Sequence, residues 1–271
     1  MTAWDPKQEA MRLWGADPCG GAVSQSAEGS PQFFRDIDRD RYVSYAPWLP
    51  AAAGFDRFAG RTLLEIGCGM GTDLASFARG GARIHAVDLT PRHLAITRRR
   101  LLNDGRAVKL VRSDAERLPF ADASFDVVYS FGVIHHTPGI RHAVAEIHRV
   151  IKPGGLAIVA VYHRNSLFYL AWLARAVLNG TLFTKGYRRV LADVEQHPHT
   201  DAEPLVAVHT RRSAQRLFSK FRRVSITTHH AAYAAPVTTL VRVLGVAAER
   251  LNTLEKALSP FGWYLMIEAE R

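Results

Sequence analysis

The sequence contains very little cysteine: Cys19 and Cys68 are the only two in 271 residues. Two thiols cannot form a disulfide scaffold, and Cys68 lies in a glycine-rich loop where a small side chain is needed. We therefore expect both cysteines to be reduced and the protein to be cytoplasmic. The first residues also lack the basic segment and long apolar run of a secretory signal.

Long apolar runs are missing from the rest of the chain as well. The most membrane-like stretch, residues 166–178, is too short to span a bilayer and is interrupted by Arg175. We interpret it as a helix packed over its own protein. The alternative is that its apolar face lies on a bilayer, with Arg188 and Arg189 touching anionic lipid.

Acidic residues are outnumbered, with 25 Asp and Glu against 35 Lys and Arg, for a net charge of +10. This excess suggests an acidic partner, either nucleic acid or a carboxylated, phosphorylated or carrier-bound small molecule. The arginines are scattered, and no basic tail or RNA-binding module is present. Nucleic acid is therefore a partner that we do not favour, and solvated basic surfaces explain the charge as well.

Closed zinc-ligand spacing is also absent. His197, His199 and Asp201, with His229 and His230, carry nitrogen and oxygen ligand atoms, but such histidines in a loop are more often simply polar. We predict no metal site.

The most informative stretch is residues 63–74, an apolar run followed by three alternate glycines and a helical pattern. Glycines allow positive φ and let a ligand lie against bare backbone beside the N–H groups of a helix N-terminus. A dinucleotide site needs G-x-G-x-x-G, whereas this loop has G-x-G-x-G preceded by Glu65. A carboxylate there would repel a pyrophosphate but suits an ammonium group, which S-adenosylmethionine (SAM) carries.

Two further acidic residues end predicted strands. Asp88 follows an apolar strand about 20 residues after the loop, where a carboxylate accepts ribose hydroxyls. Asp114 follows the predicted strand 108–112 and is our candidate for accepting the adenine amino group.

Five motifs in this order resemble class I SAM-dependent methyltransferases of the ubiquinone and menaquinone type. They are residues 64–71 (LEIGCGMG), 87–88 (VD), 114–120 (DAERLPF), 124–130 (SFDVVYS) and 146–155 (EIHRVIKPGG). The resemblance implies a Rossmann-like, seven-stranded and mostly parallel α/β sheet with helices on both faces, SAM as methyl donor and S-adenosylhomocysteine (SAH) as product. We expect the cofactor to contact Tyr42, Glu65, Gly67, Cys68, Gly69, Gly71, Asp88, Leu89, Asp114, Ala115 and Ser130.

Four segments are predicted along the chain. Residues 1–60 form an aromatic-rich lid that is ordered but irregular, and residues 61–162 form the SAM-binding core. Residues 163–210 interrupt the strand–helix alternation and are predicted to be an inserted cap over the acceptor site. Residues 211–271 complete the sheet, with an amphipathic helix over 238–258.

Histidines are the candidates for acid–base chemistry. Methyl transfer from a sulfonium is an in-line displacement that needs a base only when the acceptor must lose a proton. His135 and His136 follow the fourth strand and His163 follows the fifth, so these three are our catalytic candidates. The alternative for each is a packed histidine bonded to backbone.

We therefore predict methyl transfer to a small, acidic or carrier-activated acceptor in secondary-metabolite or sugar biosynthesis. Three alternatives remain: an RNA methyltransferase, a lipid or quinone methyltransferase at a membrane surface, and a SAM-binding partner protein without catalysis. The acceptor atom and the oligomeric state are left open, because one scaffold serves transfer to oxygen, nitrogen and carbon.

Overall fold

The computed structural model describes residues 4–106, 108–195, 200–232 and 248–271. From residue 62 onward, strands alternate with helices, as the apolar runs and their glycine and proline boundaries predict. The strands are β1 (Thr62–Ile66), β2 (Arg83–Asp88), β3 (Lys109–Arg112), β4 (Phe125–Phe131), β5 (Ile151–His163), β6 (Val208–His209), β7 (Arg223–His229) and β8 (Tyr264–Glu270).

One sheet contains all eight of these strands. Its main path runs β3-β2-β1-β4-β5-β8-β7, so the predicted seven-stranded sheet is confirmed. Strands β1 to β5 are mutually parallel, and β8 is antiparallel to both β5 and β7. The two-residue strand β6 pairs with the end of β5 beside this path.

The central strands are buried on both faces. Leu63 and Ile158 belong to one cluster of buried side chains, whereas their neighbours Leu64 and Val159 belong to a second cluster. Successive side chains of a strand point to opposite faces, so the two clusters are the two layers between sheet and helices. The helices that follow the first strands are α4 (Thr72–Arg79), α5 (Pro91–Asn103), α6 (Ile140–Val150) and α9 (Arg211–Leu217).

The N-terminal segment differs from the irregular lid that we predicted. It contains three helices, α1 (Pro6–Ala16), α2 (Pro31–Arg39) and α3 (Leu49–Ala53), and a π-helical segment over Asp40–Tyr45. The side chains of Asp5 and Ser30 cap the first two helices, each followed by a proline at the first helical position. These capping residues are visible in the sequence. We nevertheless predicted an irregular segment, because aromatic and turn residues are frequent there.

The inserted segment after β5 is a helical hairpin. Helix α7 (Leu167–Leu178) and helix α8 (Thr181–Ala192) precede a short 3₁₀ turn over Asp193–Glu195. The candidate ligands His197 and His199 lie outside the described residues, as does the first part of the predicted helix 238–258. Its described part is α10 (Ala248–Leu258). Within the described ranges, every helix is too short or too polar to cross a membrane.

Candidate active site

A cavity of about 630 Å³ opens at the carboxyl edge of the parallel strands. The ends of β1, β2, β4 and β5 form its floor, the N-terminal segment covers one side, and the inserted hairpin contributes Phe168 and Glu195. Ligands of open α/β sheets bind at this edge. The volume lies in the range of ordinary ligand sites, which is about 300–1,000 Å³.

The glycine loop after β1 forms part of the cavity wall. Gly69 lines the cavity with φ of +52°, and a Cβ built on it would meet no atom within 4 Å. A ligand can therefore lie against this backbone. Gly71 serves another purpose, because its Cβ would come within 2.9 Å of Thr97. We expected Gly71 at the cofactor; the structure instead places it where α4 packs closely on α5.

Asp88 connects the end of β2 to this loop. Its carboxylate accepts hydrogen bonds from the backbone N–H groups of Gly69 (2.9 Å) and Thr90 (2.8 Å), and His93 Nδ1 lies 3.2 Å away. Asp88 is buried and lines the cavity. Because a carboxylate has about four acceptor positions, Asp88 can hold the loop and still accept a ribose hydroxyl.

Glu65, beside the loop, is a buried carboxylate. Within the described residues its Oε2 accepts no hydrogen bond, and the side chain faces the cavity. Burial, followed by repulsion from Asp73, raises the pKa of Glu65 well above its ordinary value, although Arg41 opposes this. An unpaired buried carboxylate is costly, so this position is suited to a ligand that brings a positive charge.

Asp114 also lines the cavity, but it already has a partner from the N-terminal helix. Lys7 on α1 lies 2.6 Å from Asp114 Oδ2 and 3.0 Å from Glu116 Oε1. The other oxygen of Asp114 accepts the N–H of Glu116 at 2.9 Å. Helix α1 is therefore attached across the expected adenine position.

Four other expected contact residues line the same cavity: Gly67, Cys68, Leu89 and Ala115. Burial raises the pKa of the Cys68 thiol, which therefore remains a small neutral side chain in the loop.

Tyr42 and Ser130 do not line the cavity, in contrast to our expectation. The Tyr42 hydroxyl lies against the first turn of α4, 2.9 Å from Asp73 Oδ1. The neighbouring residue in the sequence, Arg41, lines the cavity. Ser130 is fully buried and donates to the Ile66 carbonyl at 3.1 Å, which ties β4 to β1. Both hydroxyls therefore form hydrogen bonds to other residues of the protein.

Asp73 connects the N-terminal segment to the core. It accepts from Arg41 Nη2 (2.7 Å) and from the hydroxyls of Tyr42 and Tyr129 (2.9 and 2.8 Å). Asp73, in the first turn of α4, is thus the centre of a buried network, and it fixes Arg41 at the cavity.

Of the three candidate histidines, only His136 lines the cavity. Its Nδ1 lies 2.7 Å from the Leu205 carbonyl, which can only accept, so Nδ1 carries the proton. Its Nε2 lies 3.7 Å from Glu195 Oε1. Trp14 of α1 packs edge-on against the ring, with 4.7 Å between ring centroids.

His135 and His163 are buried behind the cavity wall. The ring of His135 packs on Tyr162, with 4.0 Å between centroids, and burial lowers its pKa well below the ordinary value. His163 Nδ1 lies 3.0 Å from the Gly262 carbonyl, and burial lowers its pKa too. Both are neutral packing residues, since the two-residue period of β5 and the turn before α6 direct them inward.

Aromatic residues cluster in one part of the cavity, the aromatic end. Tyr162 stacks on Trp263 at 4.2 Å between centroids, and the hydroxyls of Tyr45 and Tyr264 are 2.6 Å apart. The Tyr162 hydroxyl donates to Glu195 Oε1 at 2.9 Å. We did not predict from the sequence that these residues line the site. Tyr162 and Trp263 could have been found, because they lie at the ends of predicted strands. No pattern in the sequence pointed to Glu195.

The charges around the cavity do not follow the charge of the whole chain. Among the residues that the structure describes, six carboxylate residues line the cavity against two cations, Lys7 and Arg41, and each cation is paired with one of those carboxylates. The carboxylates are Asp40, Glu65, Asp73, Asp88, Asp114 and Glu195. The basic excess of the protein therefore lies outside the cavity.

Comparison with known proteins agrees with this fold. Residues 64–159 match the family model described as a methyltransferase domain. A demethylmenaquinone methyltransferase of Clavibacter sepedonicus is 40% identical over 105 residues, which cover 38% of this chain and 42% of that protein. A ubiquinone biosynthesis O-methyltransferase of Pseudomonas paraeruginosa is 32% identical over 124 residues, which cover 45% and 52%. The matches thus span about half or less of these curated relatives.

Among solved structures, geranyl diphosphate C-methyltransferase from Streptomyces coelicolor has a similar fold. Its TM-score is 0.58 at 15% identity, with 100% of both chains covered, and it was solved with Mg²⁺, geranyl diphosphate and SAH. The family match over residues 64–159 supports a class I SAM-dependent methyltransferase domain in that part of the chain, and the fold agrees with it. The cofactor of this class is SAM, and the unpaired Glu65 oxygen and the open backbone at Gly69 fit it.

Proposed function

We propose that this protein transfers a methyl group from SAM to a small-molecule acceptor bound in the same cavity, and that it releases SAH. The observation that carries the proposal is the buried carboxylate of Glu65, whose Oε2 has no hydrogen-bond partner among the described residues, beside the open backbone of Gly69. A dinucleotide would place a pyrophosphate there and meet repulsion. The ammonium group of an amino acid, in contrast, would find an oppositely charged partner in Glu65.

The surrounding residues have separable roles in holding the cofactor. Glu65 binds the ammonium group, Asp88 accepts from the ribose hydroxyls, and Asp114 with Ala115 lies at the adenine end. SAM supplies an activated methyl group, so the contribution of the protein is alignment and exclusion of water. The N-terminal segment and the hairpin serve as lid and cap.

His136 is the acceptor-side base in this proposal. The Leu205 carbonyl fixes the proton on Nδ1, so Nε2 is the basic nitrogen, and it lies at the aromatic end of the cavity. Glu195, at 3.7 Å, stabilises the imidazolium that forms when His136 takes a proton. The acceptor therefore carries an O–H or N–H group.

The cavity lining favours a flat, largely uncharged acceptor. Stacked rings such as Tyr162 and Trp263 offer apolar faces, and Glu195 places a carboxylate beside Tyr162. These features do not support the acidic acceptor that we expected from the net charge. Enclosure by the N-terminal segment and the hairpin favours a small molecule over RNA.

Cofactor binding is tested with Glu65→Gln, which keeps the volume of the side chain and removes its charge. Isothermal titration with SAH should show affinity weakened at least about tenfold, as expected for loss of a hydrogen bond to a charged group. Glu268→Gln is the matched control, because Glu268 pairs with Arg57 on the surface and should leave the affinity unchanged.

NADH serves as the ligand control in the same titration. Wild-type protein should bind SAM and SAH but not NADH. Equal SAH affinity in Glu65→Gln and wild type would remove Glu65 from the site, and binding of NADH alone would overturn the proposal.

A further inference from the structure

The hairpin formed by α7 and α8 carries exposed apolar side chains on its outer surface. Leu178 is 87% exposed and Phe183 is 77% exposed, and Leu170, Val177 and Tyr187 are exposed as well. Few large apolar residues elsewhere in the described chain are as exposed. Contiguous apolar surface of this kind usually marks an interaction site.

The spacing of the α7 residues places them on one side of that helix. Leu170, Val177 and Leu178 follow the i, i+7, i+8 pattern of a single helix face. Phe183 and Tyr187 are exposed on α8, on either side of a break in the helix at Gly186. We call these five residues the outer face.

The opposite side of the hairpin packs on the protein. Phe168 lies against Trp263 with 4.8 Å between centroids, and the Trp172 indole N–H donates to the Val190 carbonyl at 2.8 Å. Trp172 therefore joins the two helices. The outer face is therefore the side of the hairpin that is available to contact another surface.

Basic residues predominate in the hairpin. Residues 164–192 contain five basic residues and no Asp or Glu. Lys185, Arg188 and Arg189 pair with Asp193 or Glu203 from outside this stretch, whereas Arg164 and Arg175 form no ion pair within the described chain. Apolar side chains bordered by cations are complementary to an anionic lipid surface.

We propose that the outer face docks the protein on the surface of an anionic lipid bilayer. Helix α7 has 12 residues and is about 18 Å long, well short of the ~30 Å hydrocarbon core. The hairpin therefore lies in the headgroup region with Leu178 and Phe183 inserted, and the cations contact lipid phosphates. Docking needs neither cofactor nor turnover.

Docking has one consequence for the reaction, which rests on the proposed function. Phe168 belongs to the same hairpin and lines the cavity. A docked hairpin holds this wall of the cavity beside the bilayer, where a lipid-soluble acceptor enters without crossing water.

The test is flotation of the full chain with vesicles of phosphatidylcholine alone and with vesicles that also contain phosphatidylglycerol. Wild type should float with the anionic vesicles only, and added salt should reduce the bound fraction because exposed charges are screened. The double variant Leu178→Asp, Phe183→Asp should bind at least about tenfold more weakly, since each apolar side chain contributes substantially on burial.

Leu102→Asp is the matched control, because Leu102 on α5 is 65% exposed and lies outside the hairpin. It should float like wild type, and SAH titration should show that all variants are folded. Failure of wild type to float, or equal flotation of the double variant, would overturn the proposal. A wild-type dimer that the double variant dissociates, with no vesicle binding, would assign the face to self-association instead.

Discussion

At the scale of single residues, the local motif was the most predictable part of the site. Glu65, Gly69 and Asp88 lie at strand ends whose position follows from apolar runs and glycines, so the sequence predicts that they meet at one edge of the sheet. Ser130 and Gly71 belong to the same motifs but are used for strand pairing and helix packing. The spacing of a motif predicts where the backbone lies, but it does not predict the direction in which each side chain points.

Residues contributed by remote segments could not be predicted. Glu195 lies in the 3₁₀ turn after the hairpin and Trp263 lies directly before β8, about 130 and 200 residues from Glu65. Their position depends on how those segments pack. His135 and His136 show the same limit, since adjacent residues differ completely in their access to the cavity.

These two histidines provide the prediction at this scale. His136→Ala should lower turnover about 100-fold or more, the usual effect of removing a general base, and leave SAH affinity unchanged. Turnover is measured as SAH release in the presence of a metabolite extract, and affinity by titration.

His135→Ala is the paired control. It should lower the free energy of unfolding through the loss of packing on Tyr162 but largely keep turnover. Full activity of His136→Ala would remove the base, and transfer would then depend on alignment alone.

At the scale of elements, the N-terminal segment is the largest difference between expectation and structure. Its helices follow from the caps at Asp5 and Ser30, but their attachment to the core depends on distant partners. Lys7 reaches Asp114, and Arg41 reaches Asp73. The strand–helix alternation from residue 62 was predictable, because the glycine and proline residues that end its elements are local in the sequence.

The network around Asp73 yields a stability prediction. Tyr129→Phe removes a buried hydrogen bond of 2.8 Å to this carboxylate and should lower the free energy of unfolding by about 2 kcal/mol in urea titration. Tyr187→Phe is the control, because its hydroxyl bonds to Tyr169 at a half-exposed position, and it should cost about 0.5 kcal/mol or less. Equal effects of the two substitutions would mean that the network does not anchor the segment.

At the scale of the whole molecule, the order of strands in the sheet was predictable from the family motifs. The location of the excess positive charge relative to the cavity was not. The net charge of +10 suggested an acidic acceptor, yet carboxylates outnumber cations around the cavity. The basic surface includes the stretch 164–192 around the hairpin. Net charge is a property of the entire surface, and it does not describe an enclosed site.

The central claim is methyl transfer from SAM to a small molecule, and one measurement tests it most directly. The full chain is incubated with SAM carrying a tritium-labelled methyl group and, separately, with the metabolites, RNA and proteins of its source cells. We predict that label enters the metabolite fraction and that Glu65→Gln greatly reduces it. Label in RNA or protein alone, or SAM binding with no transfer to any fraction, would contradict the claim.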